Sequence, residues 1–319
     1  MINIDRKNKK ILYELDLNAR RSGSYIGKKV GLHRNVVEYR IKRLKETGII
    51  KNFYTIIDTS KLGYISLRCY LKFQNINLEV KQKIINDFVE NKHTFWVSSI
   101  DGRYDLSVII LVKNLAEFYE FWNKILKKYH KFIQDQIFSV YIKLLHYPLS
   151  YLTSITINRS KSEIIGGGTQ IPVDEIELNI LRILSINARM PLIEIARKLN
   201  TTSMVIKHRI KKMRRQGVIQ GFRTNLDFTM LGYKHFKVDI YLMAYEKAGD
   251  ITNYLLSNPH LVYIDYTAGF SDLELEFHLK GSDELHRIMD DVISRFPNTI
   301  KNYSYFIFSE IHKMRYMPE

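Results

Sequence analysis

The sequence predicts an α+β protein made of two successive copies of one two-part unit. Three observations lead to this prediction: an internal repeat, a helical hydrophobic period at the front of each copy, and a strand-like period at its back. Residues 5–64 align without a gap with residues 174–233 at an offset of 169, and 21 of the 60 positions are identical. Repeats of this kind indicate duplicated folding units, and 319 residues suffice for several domains.

The repeat divides the chain into five predicted segments. They are a front unit at 1–62, a back module at 63–148, a linker at 149–173, a second front unit at 174–231 and a second back module at 232–319. The linker contains Gly166, Gly167 and Gly168 and has no hydrophobic period, which is typical of a connection. Each half should therefore fold as a front unit followed by a back module.

Each front unit is predicted to contain three helices and a β-hairpin. In the first copy, Val37, Ile41 and Leu44 recur at the i, i+4, i+7 spacing of the third helix. A β-prone stretch follows at 49–54, and its counterpart lies at 218–223. Three helices followed by a hairpin form a winged helix-turn-helix, a fold that places a recognition helix in the DNA major groove.

The positive charge of the chain is concentrated in the two front units. The net charge is +16; residues 1–62 carry 15 basic and six acidic side chains, and residues 174–231 carry 11 and five. A basic third helix within a helix-turn-helix predicts binding to double-stranded DNA. A solvated basic helix face is the alternative for either helix alone, but the same pattern occurs twice.

The exposed face of each third helix supplies the candidate DNA contacts. Residues near the helix start are predicted to face bases, and the later cations to lie beside phosphates. The candidates are Arg34, Asn35, Glu38, Tyr39, Lys42 and Arg43 in the first copy, and Thr202, Ser203, Lys207, His208, Lys211 and Lys212 in the second. Thr202 is a good N-cap for its helix, whereas His33 at the equivalent position is a poorer one. Because the two sets differ, we expect unequal half-sites rather than a palindrome.

Each back module is predicted to be a ferredoxin-like βαββαβ sandwich. In the first copy, Leu67, Cys69 and Leu71 alternate with polar residues, a helical segment follows, and two strands are joined across a turn. A helix at 115–129 and a strand at 136–145 complete the order, which the second copy repeats. Such a sheet carries helices on one face only, so its other face meets water or a partner.

Together these motifs resemble the Lrp/AsnC (leucine-responsive / feast-famine) family of transcriptional regulators. The matching segments include Asn18, Ala19 and Arg20; Leu62, Gly63 and Tyr64; and their counterparts 187–189 and 231–233. That family joins an N-terminal winged helix-turn-helix to a RAM-type ferredoxin-like module that dimerises and binds small effectors, often amino acids. The resemblance implies a sequence-specific double-stranded DNA-binding regulator, cytoplasmic and nucleoid-associated. The tandem arrangement departs from the usual member, which carries one copy.

The resemblance also places a small effector, such as an amino acid, near two strand-to-strand turns. The turn residues are Gly102, Arg103, Tyr104 and Asp105 in the first module, and Gly269, Phe270, Ser271 and Asp272 in the second. The alternative is that each turn needs glycine for its backbone and uses its aspartate as a local cap. Arg103 suits a carboxylate ligand, whereas the second turn offers no equivalent cation.

The open faces of the two sheets are predicted to pair with each other. Alternation assigns to them Arg68, Tyr70, Lys72, Ser107, Ile109, Leu111 and Lys113 on the first sheet, and Lys237, Asp239, Tyr241, Glu274, Glu276 and His278 on the second. The first set is net positive and the second net negative, so module 1 should pair with module 2, within one chain or between chains. A solvated second sheet is the alternative, since alternating charge is usual on a wet face.

Other functional classes have less support in the sequence. One cysteine excludes a disulfide scaffold and a Cys-cluster zinc site, and the scattered histidines predict no metal site. No apolar run approaches a membrane span, and no secretion signal is expected at the first residues. We expect no cofactor and no enzymatic activity. Two alternatives are a siroheme decarboxylase-like enzyme of the same architecture, whose His/Tyr/Arg-containing pocket stretch is not found here, and a DNA-independent amino-acid sensor.

Overall fold

The computed structural model describes residues 4–153 and 162–317. In the first half the elements are α1 (Arg6–Leu17), α2 (Gly23–Val30), α3 (Arg34–Glu46), β1 (Ile50–Ile57), β2 (Ile65–Phe73), α4 (Leu78–Glu90), β3 (Thr94–Asp101), β4 (Leu106–Val112), α5 (Leu115–Tyr129) and β5 (Ile133–His146). The connection contains β6 (Glu163–Ile165), and the second half has α6 (Glu175–Ile186), α7 (Leu192–Lys198), α8 (Ser203–Arg215), β7 (Ile219–Leu226), β8 (Lys234–Leu242), α9 (Ala248–Leu255), β9 (Leu261–Ala268), β10 (Leu273–Leu279), α10 (Ser282–Arg295) and β11 (Ile300–Met314). The predicted α+β fold class, with two copies of the same element order, is confirmed.

The predicted β-hairpin of each front unit is wrong. Each unit contributes one strand, and β1 pairs antiparallel with β7 of the other unit, with Tyr54 opposite Arg223 and Thr55 opposite Phe222. The local pattern predicted the strand correctly but not its partner. Because backbone N–H and C=O groups of a buried strand must be paired, the second copy supplies the edge that a hairpin would have supplied.

The two helix-turn-helix units interlock through a reciprocal pair of arginines. Arg20 donates from Nη1 to the carbonyl of Ala188 at 2.5 Å, and Arg189 donates from Nη1 to the carbonyl of Ala19 at 2.7 Å. These residues are the Ala-Arg pairs of the repeated Asn-Ala-Arg motif. The repeated motif thus joins the two copies across a pseudo-twofold relationship, and their apolar residues form one shared core.

The strands of the two back modules form one closed ring. Module 1 contributes the order β5-β2-β4-β3 and module 2 the order β11-β8-β10-β9; β3 pairs with β11, and β9 pairs with β5. Closure leaves neither sheet with an unpaired outer edge at these junctions. The two modules of one chain therefore pair with each other.

The sheet faces predicted to be open meet at this junction and are largely buried. Arg68 and Tyr70 of module 1 and Lys237 and Glu274 of module 2 are all at most 1% exposed. Lys113, at the end of the first sheet, stays exposed. The alternative, in which solvent covers the open face of the second sheet, is therefore wrong at these positions.

The segment predicted as a linker is attached to the first half at several points. Its strand β6 pairs with β5, and its Gly166 N–H donates to the Asp58 carboxylate at 3.0 Å. Ile171 N–H donates to the carbonyl of Lys61 at 2.7 Å. Residues 154–161 of this segment lie outside the described ranges, and within those ranges no helix is long and apolar enough to cross a membrane.

Candidate nucleic-acid interface

Helix α3 is held by one apolar face and presents the other to solvent. Val37, Ile41 and Leu44 are buried against the rest of the unit, as their spacing predicted. His33 caps the helix with Nδ1 accepting from Asn35 N–H at 3.3 Å. The buried face fixes the helix, so the opposite face is free to contact a duplex.

All six candidate residues of α3 are exposed. They are Arg34, Asn35, Glu38, Tyr39, Lys42 and Arg43. Tyr39 is 60% exposed, so its ring is accessible to a partner. Glu38 also has a contact inside the protein, because its carboxylate lies against Gly23 so closely that a Cβ there would collide with it. A carboxylate at the start of α2 interacts favourably with the helix dipole.

Helix α8 repeats this arrangement with different side chains. Thr202 caps it as predicted, accepting from Val205 N–H at 3.3 Å. The candidates Thr202, Lys207, His208 and Lys211 are exposed, and Ser203 is half-buried. Lys212 is also half-buried, and its ammonium lies 2.9 Å from the Glu177 carboxylate. The Glu177 contact therefore competes with the predicted phosphate contact of Lys212.

The structure adds exposed residues that the candidate set left out. Met204 is 74% exposed on the first turn of α8, and Arg214 and Arg215 are exposed on its last turn. Both arginines line a groove with Lys207 and Lys211. The sequence places all three on the polar face of α8, with Met204 lying among the base-facing candidates and the two arginines beyond the phosphate candidates.

The two turns predicted to bind an effector lie at the junction of the modules. Each aspartate caps a local backbone group: Asp105 accepts from Phe73 N–H, and Asp272 accepts from Leu242 N–H, both at 2.7 Å. Gly102 has a φ of 147°, and a Cβ there would lie 2.9 Å from Cβ of Phe306 in module 2. The glycine and aspartate therefore have the structural roles that the alternative assigned to them.

The remaining turn residues contribute to a buried aromatic cluster. Tyr104 stacks on Tyr70 with ring centroids 5.0 Å apart, and Phe270 packs on Tyr70 at 5.6 Å. Several buried polar atoms in this region have no hydrogen-bond partner among the described residues, including the hydroxyls of Tyr70, Tyr104 and Ser271 and Oδ1 of Asp239. Buried polar groups normally find a partner, so these atoms favour an additional polar occupant.

A buried network of charges adjoins the cluster and joins the modules. Lys237 Nζ lies 2.8 Å from Glu274 and 3.0 Å from Glu276, and it also contacts Asp265. Although burial opposes ionisation, Arg68 and Lys237 together lower the pKa of Glu274 to about 2. Asp239 forms no such ion pair within the described residues; burial and the neighbouring Glu274 carboxylate raise its pKa to about 7. Arg68 and Lys237 therefore lie among more carboxyl groups than two positive charges can neutralise.

Two cavities at equivalent places in the repeat lie where front units and modules meet. The Thr59 cavity has a volume of about 230 Å³, and its lining includes Ile57, Thr59, Ser66, Leu111, Leu144 and Tyr316. The Phe228 cavity has a volume of about 50 Å³, and its lining includes the counterparts Leu226, Phe228, His235, His278, Met314 and His146. No group of three or more His, Cys, Asp or Glu side chains in the described ranges is arranged to hold a metal ion.

Both front units match known DNA-binding families. Residues 4–45 match the AsnC-type helix-turn-helix domain, and residues 173–220 match a winged helix-turn-helix DNA-binding family. These matches cover the helices that the site geometry exposes.

Similar full-length proteins and one solved structure extend these matches. The chain is 30% identical to the HTH-type transcriptional regulator FL11 of Pyrococcus horikoshii over 121 residues, which are 38% of this chain and 80% of FL11. It is 33% identical to the HTH-type transcriptional regulator Ptr1 of Methanocaldococcus jannaschii over 122 residues, 37% of this chain and 78% of Ptr1. The crystal structure of the siroheme decarboxylase NirDL has the same fold, with a TM-score of 0.64 at 14% identity over 98% of this chain and 94% of that one.

The fold and the two exposed helices are those expected of the regulators to which this chain is similar. Because about four fifths of FL11 and of Ptr1 align at 30% identity or above, the family relationship extends over most of a regulator. The chain belongs to the Lrp/AsnC family and is a DNA-binding transcriptional regulator.

Proposed function

We propose that one chain binds one operator with both of its recognition helices, α3 and α8, and reads two unequal half-sites. The observation that supports this most directly is the interlock of the two units, in which β1 pairs with β7 and Arg20 and Arg189 contact each other's unit. Such an interlock holds two recognition helices at one spacing. A symmetric dimer reads a palindrome because its helices are identical, whereas α3 and α8 differ.

The residue roles follow from position along each helix. In α3, Arg34, Asn35, Glu38 and Tyr39 face base edges, and Lys42 and Arg43 lie beside phosphates. In α8, Thr202, Ser203, Lys207 and His208 take the base-facing positions, and Lys211 and Lys212 the phosphate positions. Arginine and asparagine suit guanine and adenine edges, whereas lysine suits guanine. The chain acts in the cytoplasm on the nucleoid.

Selection of binding sites from random double-stranded DNA tests this proposal. We expect one enriched site with two dissimilar halves, both protected in a footprint. A variant with Lys42→Ala and Lys211→Ala should enrich no site under the same conditions. A perfect palindrome would contradict the unequal-half-site proposal, and enrichment of a single half-site would contradict the use of both helices.

We further propose that a small polar effector such as an amino acid binds between the two turns. Support comes from the buried hydroxyls of Tyr104 and Ser271 and from Oδ1 of Asp239, none of which has a partner among the described residues. Arg103 is exposed beside this cluster and offers a cation to a carboxylate. A ligand held there contacts both modules at once.

A thermal-shift screen of the proteinogenic amino acids tests the effector proposal, because a ligand that binds the folded state raises Tm. We expect at least one amino acid to raise the Tm of the wild type. That increase should disappear in Ser271→Ala and Tyr104→Phe and persist in Ser257→Ala, whose side chain is exposed. No increase with any amino acid would contradict the proposal.

We propose that the chain is not an enzyme, although its fold matches siroheme decarboxylase NirDL over 98% of its length. A tetrapyrrole with several carboxylates needs cations around it, since an unpaired buried charge is costly. The Thr59 cavity, the larger of the two cavities between front units and modules, offers none, because no described residue that lines it is charged. Titration with iron uroporphyrin should therefore give no saturable shift of its absorption band; a tight coloured complex would contradict this.

A DNA-independent amino-acid sensor is the remaining alternative. It leaves the exposed basic faces of α3 and α8 without a role. It predicts that Arg34→Ala, Lys42→Ala and Arg43→Ala leave regulation of target genes intact. We expect each of these variants to lose that regulation while keeping the wild-type Tm.

A further inference from the structure

Because the chain is duplicated, the Thr59 cavity and the Phe228 cavity occupy equivalent places in the two halves. The offsets of the repeat relate Thr59 to Phe228, Ser66 to His235 and Leu111 to His278. The same backbone framework thus holds small or aliphatic side chains in one half and rings in the other. The volumes follow the side chains, with about 230 Å³ in the first half and about 50 Å³ in the second.

Stacked rings fill the Phe228 cavity. Phe228 stacks on His278 with centroids 4.6 Å apart and meets His235 edge-on at 5.7 Å. On the other side, Tyr263 stacks on His146 at 4.4 Å. Burial lowers the pKa of His278 and of His146 well below the usual value, so both rings are neutral packing groups. The second half therefore closes its cavity with its own side chains.

At the three places where the second half has Phe228, His235 and His278, the Thr59 cavity has the smaller side chains Thr59, Ser66 and Leu111. Its walls are mainly aliphatic and aromatic, including Ile57, Ile109, Leu144 and Tyr316, and Thr59 and Ser66 add small hydroxyls. None of the lining residues in the described ranges is charged. Protein interiors are normally close-packed, so an apolar space of this size between packed elements is unusual for a purely structural site. Mostly apolar pockets with a few placed polar groups are typical of small-molecule sites.

We propose that the Thr59 cavity binds an uncharged, predominantly apolar small molecule. The lining decides the chemical class. An ionised ligand would lose its hydration and find no opposite charge in the wall, which makes its binding unfavourable. Hydrocarbon surface gains from the same burial, and the hydroxyls of Thr59 and Ser66 can pair with one polar group of the ligand. The proposed occupant therefore differs in chemistry from an amino acid, which carries two charges.

Fluorescence titration of the full chain tests this proposal without DNA. The probe is N-phenylnaphthylamine, an uncharged apolar fluorophore, and the matched comparison is its sulfonated analogue, anilinonaphthalene sulfonate. We expect saturable binding of one N-phenylnaphthylamine per chain. The sulfonated analogue should bind at least about ten-fold more weakly, in line with the penalty for a buried unpaired charge.

Variants that copy the filled half supply the controls. Thr59→Phe introduces the ring that the fold already holds in the second half, and Ser66→His does the same at the neighbouring strand. Each should weaken N-phenylnaphthylamine binding at least ten-fold with little change in Tm, whereas Phe228→Thr should leave the affinity of the first site unchanged. If either blocking variant misfolds, the other gives the result. Absence of saturable binding, equal affinity for the anionic analogue, or undiminished binding in the folded blocking variants would overturn the proposal.

Discussion

Arg68 and Glu274 form a buried bidentate ion pair between the modules, although they lie 206 positions apart in the sequence. Nη1 and Nη2 of the guanidinium lie 2.5 and 2.6 Å from the two carboxylate oxygens, and the side chains are 1% and 0% exposed. Under the repeat, Glu274 corresponds to Ser107 and Arg68 to Lys237. Module 1 paired with a copy of itself would therefore place Arg68 opposite a serine. This difference favours pairing of module 1 with module 2.

Removing the carboxylate of this pair should strongly destabilise the chain. Glu274→Gln keeps the shape of the side chain but leaves Arg68 buried without its main counter-charge. Breaking one partner of a buried ion pair costs about 3–5 kcal/mol, because an unpaired charge remains in the interior. Chemical denaturation should show this as a lower free energy of unfolding.

A more exposed ion pair within module 1 provides the control. Lys128 lies 2.8 Å from Asp87, and the lysine side chain is 62% exposed. Asp87→Asn should cost less than about 1 kcal/mol, since water screens such pairs. Equal losses in Asp87→Asn and Glu274→Gln would show that burial does not set the strength of the Arg68 pair.

Asp239 should make the stability of the chain fall as the pH rises toward neutrality. Its pKa is raised from 3.8 to about 7, chiefly by burial and then by Glu274. Between these values the folded chain holds a proton that the unfolded chain has released, so the stabilisation is complete below the unfolded pKa and is lost as the pH rises through about 7. Asp239→Asn fixes the neutral form. Its free energy of unfolding relative to wild type should therefore increase between about pH 5 and pH 8, by at most about 1.4 kcal/mol per pH unit.

Denaturation at a series of pH values measures this difference. Asp101→Asn, at an exposed carboxyl of the same fold, should follow the wild type over the whole range. A constant difference between Asp239→Asn and wild type would mean that Asp239 is ionised throughout that range.

Phosphate contacts should appear in the salt dependence of DNA binding. Lys42 and its repeat counterpart Lys211 are exposed on α3 and α8. Each contact neutralises one phosphate and releases counterions, so Lys42→Ala or Lys211→Ala should reduce the slope of log K against log salt by about 1. Lys83→Ala, exposed on α4 of module 1, should leave the slope unchanged. An equal effect of all three variants would indicate that the overall positive charge of the chain attracts DNA, rather than contacts made by these helices.

Transfer of the α3 contact residues to α8 should turn the operator into a palindrome. The substitutions are Ser203→Arg, Met204→Asn, Lys207→Glu and His208→Tyr, each copying the residue 169 positions earlier. Identical recognition helices read identical half-sites, so selection from random DNA should return two matching halves. An unchanged asymmetric site would show that these positions do not read bases.

Much of the fold could be predicted because helix and strand periods are local. Val37, Ile41 and Leu44 face the core as their spacing indicates, and the helix predicted at 115–129 is observed at Leu115–Tyr129. The β-hairpin was wrong for the same reason. A strand pattern shows which face of β1 is buried but not which edge it pairs with, and the partner β7 begins more than 160 residues later.

In the candidate sites, too, the local features could be predicted and those that depend on packing could not. Exposure of Arg34, Asn35 and Tyr39 followed from the helical period alone. The engagement of Lys212 with Glu177 could not be predicted, because it depends on how α6 packs against α8. The Thr59 cavity likewise depends on six separate parts of the chain meeting at one place.

By itself the sequence determined the duplication, the element order, the α+β fold class and the basic faces of the two recognition helices. These features depend on side-chain periods of two and of 3.6 residues and on local charge, which a single segment contains. Only the tertiary structure decided that β1 and β7 complete each other, that Arg68 meets Glu274, and that one of two equivalent cavities is open. These features depend on contacts between distant segments, where steric fit and burial of charge select the partner.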